Sequence, residues 1–203
     1  MPEIKICGIK NIEEINIINI LKPDYIGLVF ADSKRKITPE EAKILVSNLN
    51  KKIKIVGVFL DAKVEFIEEA LNQVKIDVIQ LHGNEDMEYI LKLKEFFEGE
   101  IWKSISVNNE FTDTLINKFP QDIVIIFDSK NGGSGKPFDW EKIKGISGKR
   151  KIVLAGGLNN NNIRSAINIV NPQIVDVSSG VEKDNKKDVE KINEFIRNVK
   201  NEF

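Results

Sequence analysis

The chain predicts a closed (β/α)8 barrel, and three observations carry that expectation. Short apolar runs alternate with longer amphipathic stretches along all 203 residues. The repeat averages roughly 25 residues, close to the minimum for one strand, one helix and two loops. About eight such units fill the length, and strands that alternate with helices form a parallel sheet, which eight units can close into a barrel. The alternative is an open doubly wound sheet.

The candidate strands, in order, are Ile4–Cys7, Tyr25–Phe30, Lys54–Phe59, Asp77–Leu81, Ile101–Ser104, Ile123–Phe127, Ile152–Ala155 and Ile174–Val177. Each is a short apolar run of strand length. After the first, Ile12, Ile15, Ile18 and Leu21 recur at helical spacing. After the third, Phe66, Ile67, Ala70 and Leu71 form a second apolar stripe. After the eighth, Val189, Ile192, Phe195, Ile196 and Val199 form another. No proline- or serine-rich linker interrupts the pattern, so residues 1–203 are expected to form one domain.

Composition narrows the function classes. Hydrophobic residues make up 41%, enough for a sizeable core, and the formal net charge is -1. A near-balanced chain argues against general nucleic-acid binding, which needs a basic surplus, but leaves room for a local positive pocket. With one cysteine, no intrachain disulfide and no multi-cysteine zinc site is expected. With one histidine, His82, no metal site needing several imidazoles is expected either; a carboxylate site for magnesium stays open. The N-terminus lacks the apolar core of a signal peptide, and no apolar run is long enough to span a membrane. The expectation is a cytoplasmic protein with no nucleic-acid or membrane partner.

Alternation along the strands locates a site. Residues two apart share a face, so Lys5 and Cys7 share one, as do Gln80 and His82. Asp128 follows Ile126 on its face, and Asp176 and Ser178 follow Ile174. On any one strand this reads as an ordinary terminus emerging into solvent. Four strands together point to polar groups gathered at the carboxyl end of a barrel, where barrel active sites lie.

The individual candidates follow. A lone cysteine is usually a small buried hydrophobe; Cys7 ends a strand just before Gly8, and Lys5 on its face would favour the thiolate. Asp128 ends an apolar strand, where burial would raise its pKa from about 3.9 towards that of a general acid. The glycine-rich loop from Asn131 to Lys136 fails as a P-loop, because Lys130 and Pro137 stand where the pattern needs glycine and a hydroxyl residue. It reads instead as a hinged lid, and Pro137 and Asp139 lead into a helix. Leu154-Ala-Gly-Gly-Leu-Asn159 and Asp176-Val-Ser-Ser-Gly-Val-Glu182 follow the seventh and eighth strands, the usual phosphate position in such barrels. Gly156 and Gly157 allow close backbone approach, and a following helix N-terminus would offer free N–H groups. Arg35, in the loop after the second strand, is suited to a planar carboxylate. His82 and Asp176 are weaker candidates at the mouth.

These stretches together resemble the phosphoribosylanthranilate isomerase family. The motifs are Lys5-Ile-Cys-Gly-Ile9, Ser33-Lys-Arg-Lys-Ile37, Val56-Gly-Val-Phe59, Gln80-Leu-His-Gly83, Gly132-Gly-Ser-Gly-Lys-Pro-Phe-Asp-Trp140, Ala155-Gly-Gly-Leu158 and Asp176-Val-Ser-Ser-Gly-Val-Glu182. They span nearly the whole chain in family order. The resemblance implies a cofactor-free Amadori rearrangement of a small phosphosugar substrate, with Cys7 as general base and Asp128 as general acid. It implies that Arg35 holds the anthranilate carboxylate and that backbone around Gly156, Gly157, Ser179 and Gly180 holds the phosphate, with His82, Asp176 and Ser178 completing the substrate-binding set. Ala155 departs from the serine found in many relatives. A related histidine-pathway isomerase would carry an aspartate where Cys7 stands; indole-glycerol-phosphate synthase would need lysine and glutamate motifs that are absent. A non-catalytic phosphosugar-binding barrel is the remaining alternative. Monomer and homodimer both stay open.

Overall fold

A computed structural model of the chain describes residues 1–108, 111–129 and 137–201. Eight parallel strands form its centre: β1 (Glu3–Cys7), β2 (Tyr25–Val29), β3 (Lys54–Phe59), β4 (Val78–Leu81), β5 (Glu100–Val107), β6 (Val124–Ser129), β7 (Ile152–Leu154) and β8 (Ile174–Val177). Each pairs with its neighbour in chain order, and β8 returns to pair with β1 from Glu3↔Ile174 to Ile6↔Val177. That last pairing closes the barrel and removes the open-sheet alternative.

The strands start and stop within a few residues of the apolar runs. The largest difference is β5, which continues past Ser104 to Val107. Ser104 and Ser106 interrupt the apolar run, yet Ile105 and Val107 are buried, so the alternating strand persists where the run ends.

Helices α1 (Ile12–Leu21), α2 (Pro39–Ser47), α3 (Val64–Gln73), α4 (Met87–Lys94), α5 (Ile163–Val170) and α6 (Val189–Lys200) surround the barrel. Their starts are written locally. The side chains of Asn11, Asp86 and Asp188 each accept a first-turn backbone N–H. Thr38 and Glu41 form a reciprocal capping box, with Pro39 opening α2.

The two connections flanking β6 differ from the ideal pattern. After β5 stands a 3-10 helix, Asp113–Lys118, and after β6 two more, Trp140–Ile143 and Ile146–Gly148. The helix expected after Pro137 and Asp139 is therefore a single tight turn, capped by Asp139 on Glu141 N–H at 3.2 Å. Gly145, at φ 82, breaks the run before an α-helix can propagate. Pro120 likewise disfavours helical backbone at Phe119. Arg150 anchors the β5–β6 connection by donating to the carbonyls of Ile116, Phe119, Pro120 and Ile123.

Two apolar layers result. Outward strand residues such as Ile6, Ile79, Phe127 and Val175 pack against the helices. Inward residues, including Tyr25, Val56, Val78, Trp102, Val124 and Ile174, fill the barrel. Burying one such side chain stabilises the fold by about 1.5–3 kcal/mol. Tyr25 and Trp102 meet edge to face at 5.2 Å in this interior. The polar inward residues lie further along the strands, towards their carboxyl ends.

Candidate active site

At the carboxyl ends a cavity of about 420 Å³ opens. Cys7 from β1, Asp128 from β6 and Asp176 from β8 line it, together with Arg35 and His82 from the loops after β2 and β4. Gly156, Gly157, Ser178 and Ser179 line it as well. Of the residues singled out from sequence, Gly180 alone is not in the lining. It packs in the turn Ser179–Val181, where an added Cβ would stand 2.0 Å from the Leu158 carbonyl. The glycine-rich loop from Asn131 to Lys136, expected to act as a lid, lies outside the described residues, as does Lys130.

Cys7 ends its strand beside Gly27, its register partner on β2. A Cβ at Gly27 would lie 2.6 Å from the Cys7 sulfur, so that glycine makes room for the thiol. Ser178 Oγ donates to the Cys7 carbonyl at 2.9 Å, tying the end of β1 to the end of β8. Burial pushes the Cys7 thiol up, Lys5 and Lys187 pull it down, and Asp176 adds to the rise. The net direction is upward. Lys5 acts in the direction expected from sequence, favouring the thiolate, but desolvation is larger.

Lys5 itself is fully buried. Its Nζ donates to Asp176 Oδ2 at 2.6 Å and to Gln80 Oε1 at 2.9 Å. Burial alone would lower its pKa, but Asp176 and Cys7 hold it above the ordinary lysine value. It is therefore a fixed positive charge beneath the cavity.

Asp128 is 8% exposed. Burial pushes its carboxyl up, opposed by His82 and by the Ser129 N–H, and Asp176 reinforces the rise. Its Oδ1 accepts from Ser129 N at 2.6 Å, while Oδ2 faces His82 Nε2 at 3.6 Å. Gly156, at φ 80, is what allows this placement: a Cβ there would meet Asp128 Oδ1 at 2.8 Å and Ser129 N at 2.6 Å. A buried carboxyl with a raised pKa, facing the same cavity as a thiol on another strand, suits two-ended proton transfer.

Arg35 does not project freely. Its Nε and one terminal nitrogen clasp Glu182 bidentately, both at 2.8 Å. Lys187 Nζ also reaches Glu182, at 2.7 Å. Burial opposes ionisation of Glu182, but Arg35 and Lys187 hold its carboxyl down at about 2. Burial lowers Lys187, and Glu182 partly restores it. The triad sits on the antiparallel pair Glu182–Lys183 and Lys186–Lys187 and the adjoining loops.

At the other end, Gly156 and Gly157 both take positive φ, 80 and 70. The free helix N-terminus expected just behind them is not there. Asn159 and Asn162 fold the chain back instead, with Asn162 Nδ2 donating to the Gly157 carbonyl at 2.9 Å, and α5 begins only at Ile163. Ser179, at the amino end of the turn Ser179–Val181, lines the same cavity as Gly156 and Gly157.

Sequence reasoning passed over Lys187, Glu182 and Ser106 as site residues. Ser106 pairs in register with Asp128 and lines the cavity; strand alternation from Trp102 could have found it. Lys187 is hidden among a surplus of lysines, and nothing local distinguishes a buried one. Among the described residues no group of three or more His, Cys, Asp or Glu side chains is arranged to hold a metal ion.

Comparison with known proteins adds the family. A family profile described as N-(5'-phosphoribosyl)anthranilate (PRA) isomerase matches residues 4–198. The chain is 46% identical over 202 residues to N-(5'-phosphoribosyl)anthranilate isomerase of Clostridium kluyveri, covering 99% of each chain. The crystal structure of phosphoribosyl anthranilate isomerase from Thermotoga maritima superposes with a TM-score of 0.89 at 39% identity, over 99% of this chain and 100% of that one. A further isomerase structure, in complex with reduced 1-(o-carboxyphenylamino)-1-deoxyribulose 5-phosphate, gives 0.87 at 37% identity, over 99% and 100%. By sequence across its length and by the course of its barrel, the chain belongs to the N-(5'-phosphoribosyl)anthranilate isomerase family.

Proposed function

We propose that the chain converts N-(5-phospho-β-D-ribosyl)anthranilate to 1-(2-carboxyphenylamino)-1-deoxy-D-ribulose 5-phosphate, a step of tryptophan biosynthesis. The observation that carries this reading is the pairing of Cys7 and Asp128 on one cavity, from strands separated by β7 and β8. An Amadori rearrangement needs a proton delivered to the ring oxygen on one sugar carbon and another removed from the next carbon. Asp128, whose carboxyl burial pushes above the ordinary aspartate value, gives its proton to the ribose ring oxygen. The ring opens to a protonated Schiff base. Cys7 then takes the proton from the adjacent sugar carbon, and the enolamine tautomerises to the ketone. The thiol must first ionise. Lys5 and Lys187 favour that, and the positive Schiff base adds a third charge of the right sign at the right moment.

Arg35 then engages the anthranilate carboxylate, which competes with Glu182 for the same guanidinium or uses its remaining N–H groups. Gly156, Gly157 and Ser179 supply the phosphate end, with Gly180 shaping the turn behind it. His82, Asp176 and Ser178 contact the sugar between these ends. The isomerase structure bound to the reduced product supports a carboxyphenylamino pentose phosphate as the ligand class. We infer further that residues 1–203 act as one cytoplasmic catalytic domain, as monomer or homodimer, which sedimentation equilibrium distinguishes.

The test is turnover of freshly made phosphoribosylanthranilate, followed by loss of its fluorescence. Cys7→Ala and Asp128→Asn are each expected to lower kcat by about 10²–10⁴-fold with the fold intact. Near-normal turnover in either variant removes its assigned role; no turnover in the wild type leaves a binding protein.

A further inference from the structure

Beneath the cavity a polar chain crosses the barrel from β8 to β6. Asp176 accepts from Lys5, and Lys5 donates to Gln80 Oε1. Gln80 Nε2 faces His82 Nδ1 at 3.4 Å, and His82 Nε2 faces Asp128 Oδ2 at 3.6 Å. Each link dictates the next. A lysine ammonium carries donors only, so Gln80 must turn its carbonyl to Lys5 and its NH2 to His82. A donor aimed at Nδ1 needs a lone pair there, which puts the ring proton on Nε2, pointing at Asp128.

We propose that Gln80, locked by Lys5, is a positioning residue that holds His82 as the neutral Nε2–H tautomer and so keeps the shared proton of the His82–Asp128 pair on the carboxyl. An imidazolium would carry hydrogen on both nitrogens and set Nδ1–H against the Gln80 NH2. Two donors would then face each other, and the buried Gln80 NH2 would lose its acceptor at the half-buried imidazole, which is costly. With the imidazole denied that proton, it stays on Asp128, the group that needs it to open the ring. The raised pKa of Lys5 supports the first link, because a charged Lys5 cannot accept from the amide. Gln80 is 3% exposed, so water does not compete for its orientation. The charged group facing the imidazole is Asp128 from β6; Lys5 from β1 and Asp176 from β8 stand behind Gln80. Glu85 and Lys103 pair with each other behind Gly83 at 2.8 Å.

The functional half of this inference rests on the isomerase reading; the tautomer does not. His82 is the only histidine, so tag-free protein labelled with 15N gives one imidazole to observe by two-dimensional NMR. In the wild type at pH 7, Nε2 is expected to be protonated and Nδ1 bare. Gln80→Glu replaces the donor by an acceptor and is expected to protonate Nδ1 as well. Gln80→Met removes the donor and is expected to let the proton pass from Asp128 to the ring. A wild-type ring protonated at Nδ1, or identical ring spectra in all three proteins, overturns the proposal. In the fluorescence assay both variants are expected to lose about tenfold or more in kcat with KM within about threefold, part of what one general acid contributes. Altered ring protonation with unchanged kcat overturns the functional half alone. A wild type without turnover instead sinks the isomerase reading and leaves the NMR result standing.

Discussion

Gly27 has no side chain, and the Cys7 sulfur occupies the space one would fill. An alanine there would put its Cβ 2.6 Å from that sulfur. The neighbouring backbone is part of the sheet and cannot retreat, so the thiol must swing away. Gly27→Ala is expected to lower kcat by about 10²-fold, the scale of a 1 Å misplacement of a reacting group, with little change in KM. Steady-state kinetics decide it, and a kcat within twofold of wild type would remove Gly27 from the site. Cys7 and Asp128 were legible in the sequence because their residue types are chemically scarce at strand ends, and Arg35 because a guanidinium in the loop after β2 suits a planar carboxylate. Gly27 and Lys187 were not, because each acts by what it touches from another strand or loop.

At the scale of elements, the antiparallel pair after β8 closes one side of the cavity with a three-charge cluster. Glu182 is held at about 2 by Arg35 and Lys187, against an ordinary value of 4.5. A depressed carboxyl contributes stability that is fully present above about pH 4.5 and is lost as pH falls towards about 2. Wild type should therefore exceed Glu182→Gln in stability at pH 6, and the gap should narrow at pH 3. Urea midpoints at the two pH values measure this, and a constant gap would mean the cluster is not coupled to folding. The same cluster explains a limit of the sequence reading. Arg35 reads from sequence as a carboxylate binder, but the carboxylate it grips lies 147 positions away, beyond any local pattern. Helix starts, in contrast, were written in adjacent residues such as Thr38, Pro39 and Glu41. The 3-10 turns around β6 were not, because apolar spacing does not separate a tight turn from a short helix.

For the whole molecule, the decisive pairing is β8 with β1. It is the barrel strand pairing with the longest separation in sequence, and it carries the Lys5–Asp176 ion pair inside the barrel. A version of the chain ending at Asn171 would leave β1 and β7 as bare edges and Lys5 without its carboxylate. It is expected to lose near-UV circular dichroism and cooperative unfolding and to aggregate. A cooperative transition like that of the full chain would show that closure is dispensable. Strand positions and the residues that share a face were legible in the sequence alone, since a two-residue alternation and a repeat of roughly 25 residues are local properties; strand order and closure came only with the β8–β1 pairing. The tertiary structure decided which polar and charged groups meet: the Lys5–Gln80–His82–Asp128 chain and the Arg35–Glu182–Lys187 cluster exist only once the barrel brings distant strands and loops together and burial makes those contacts matter.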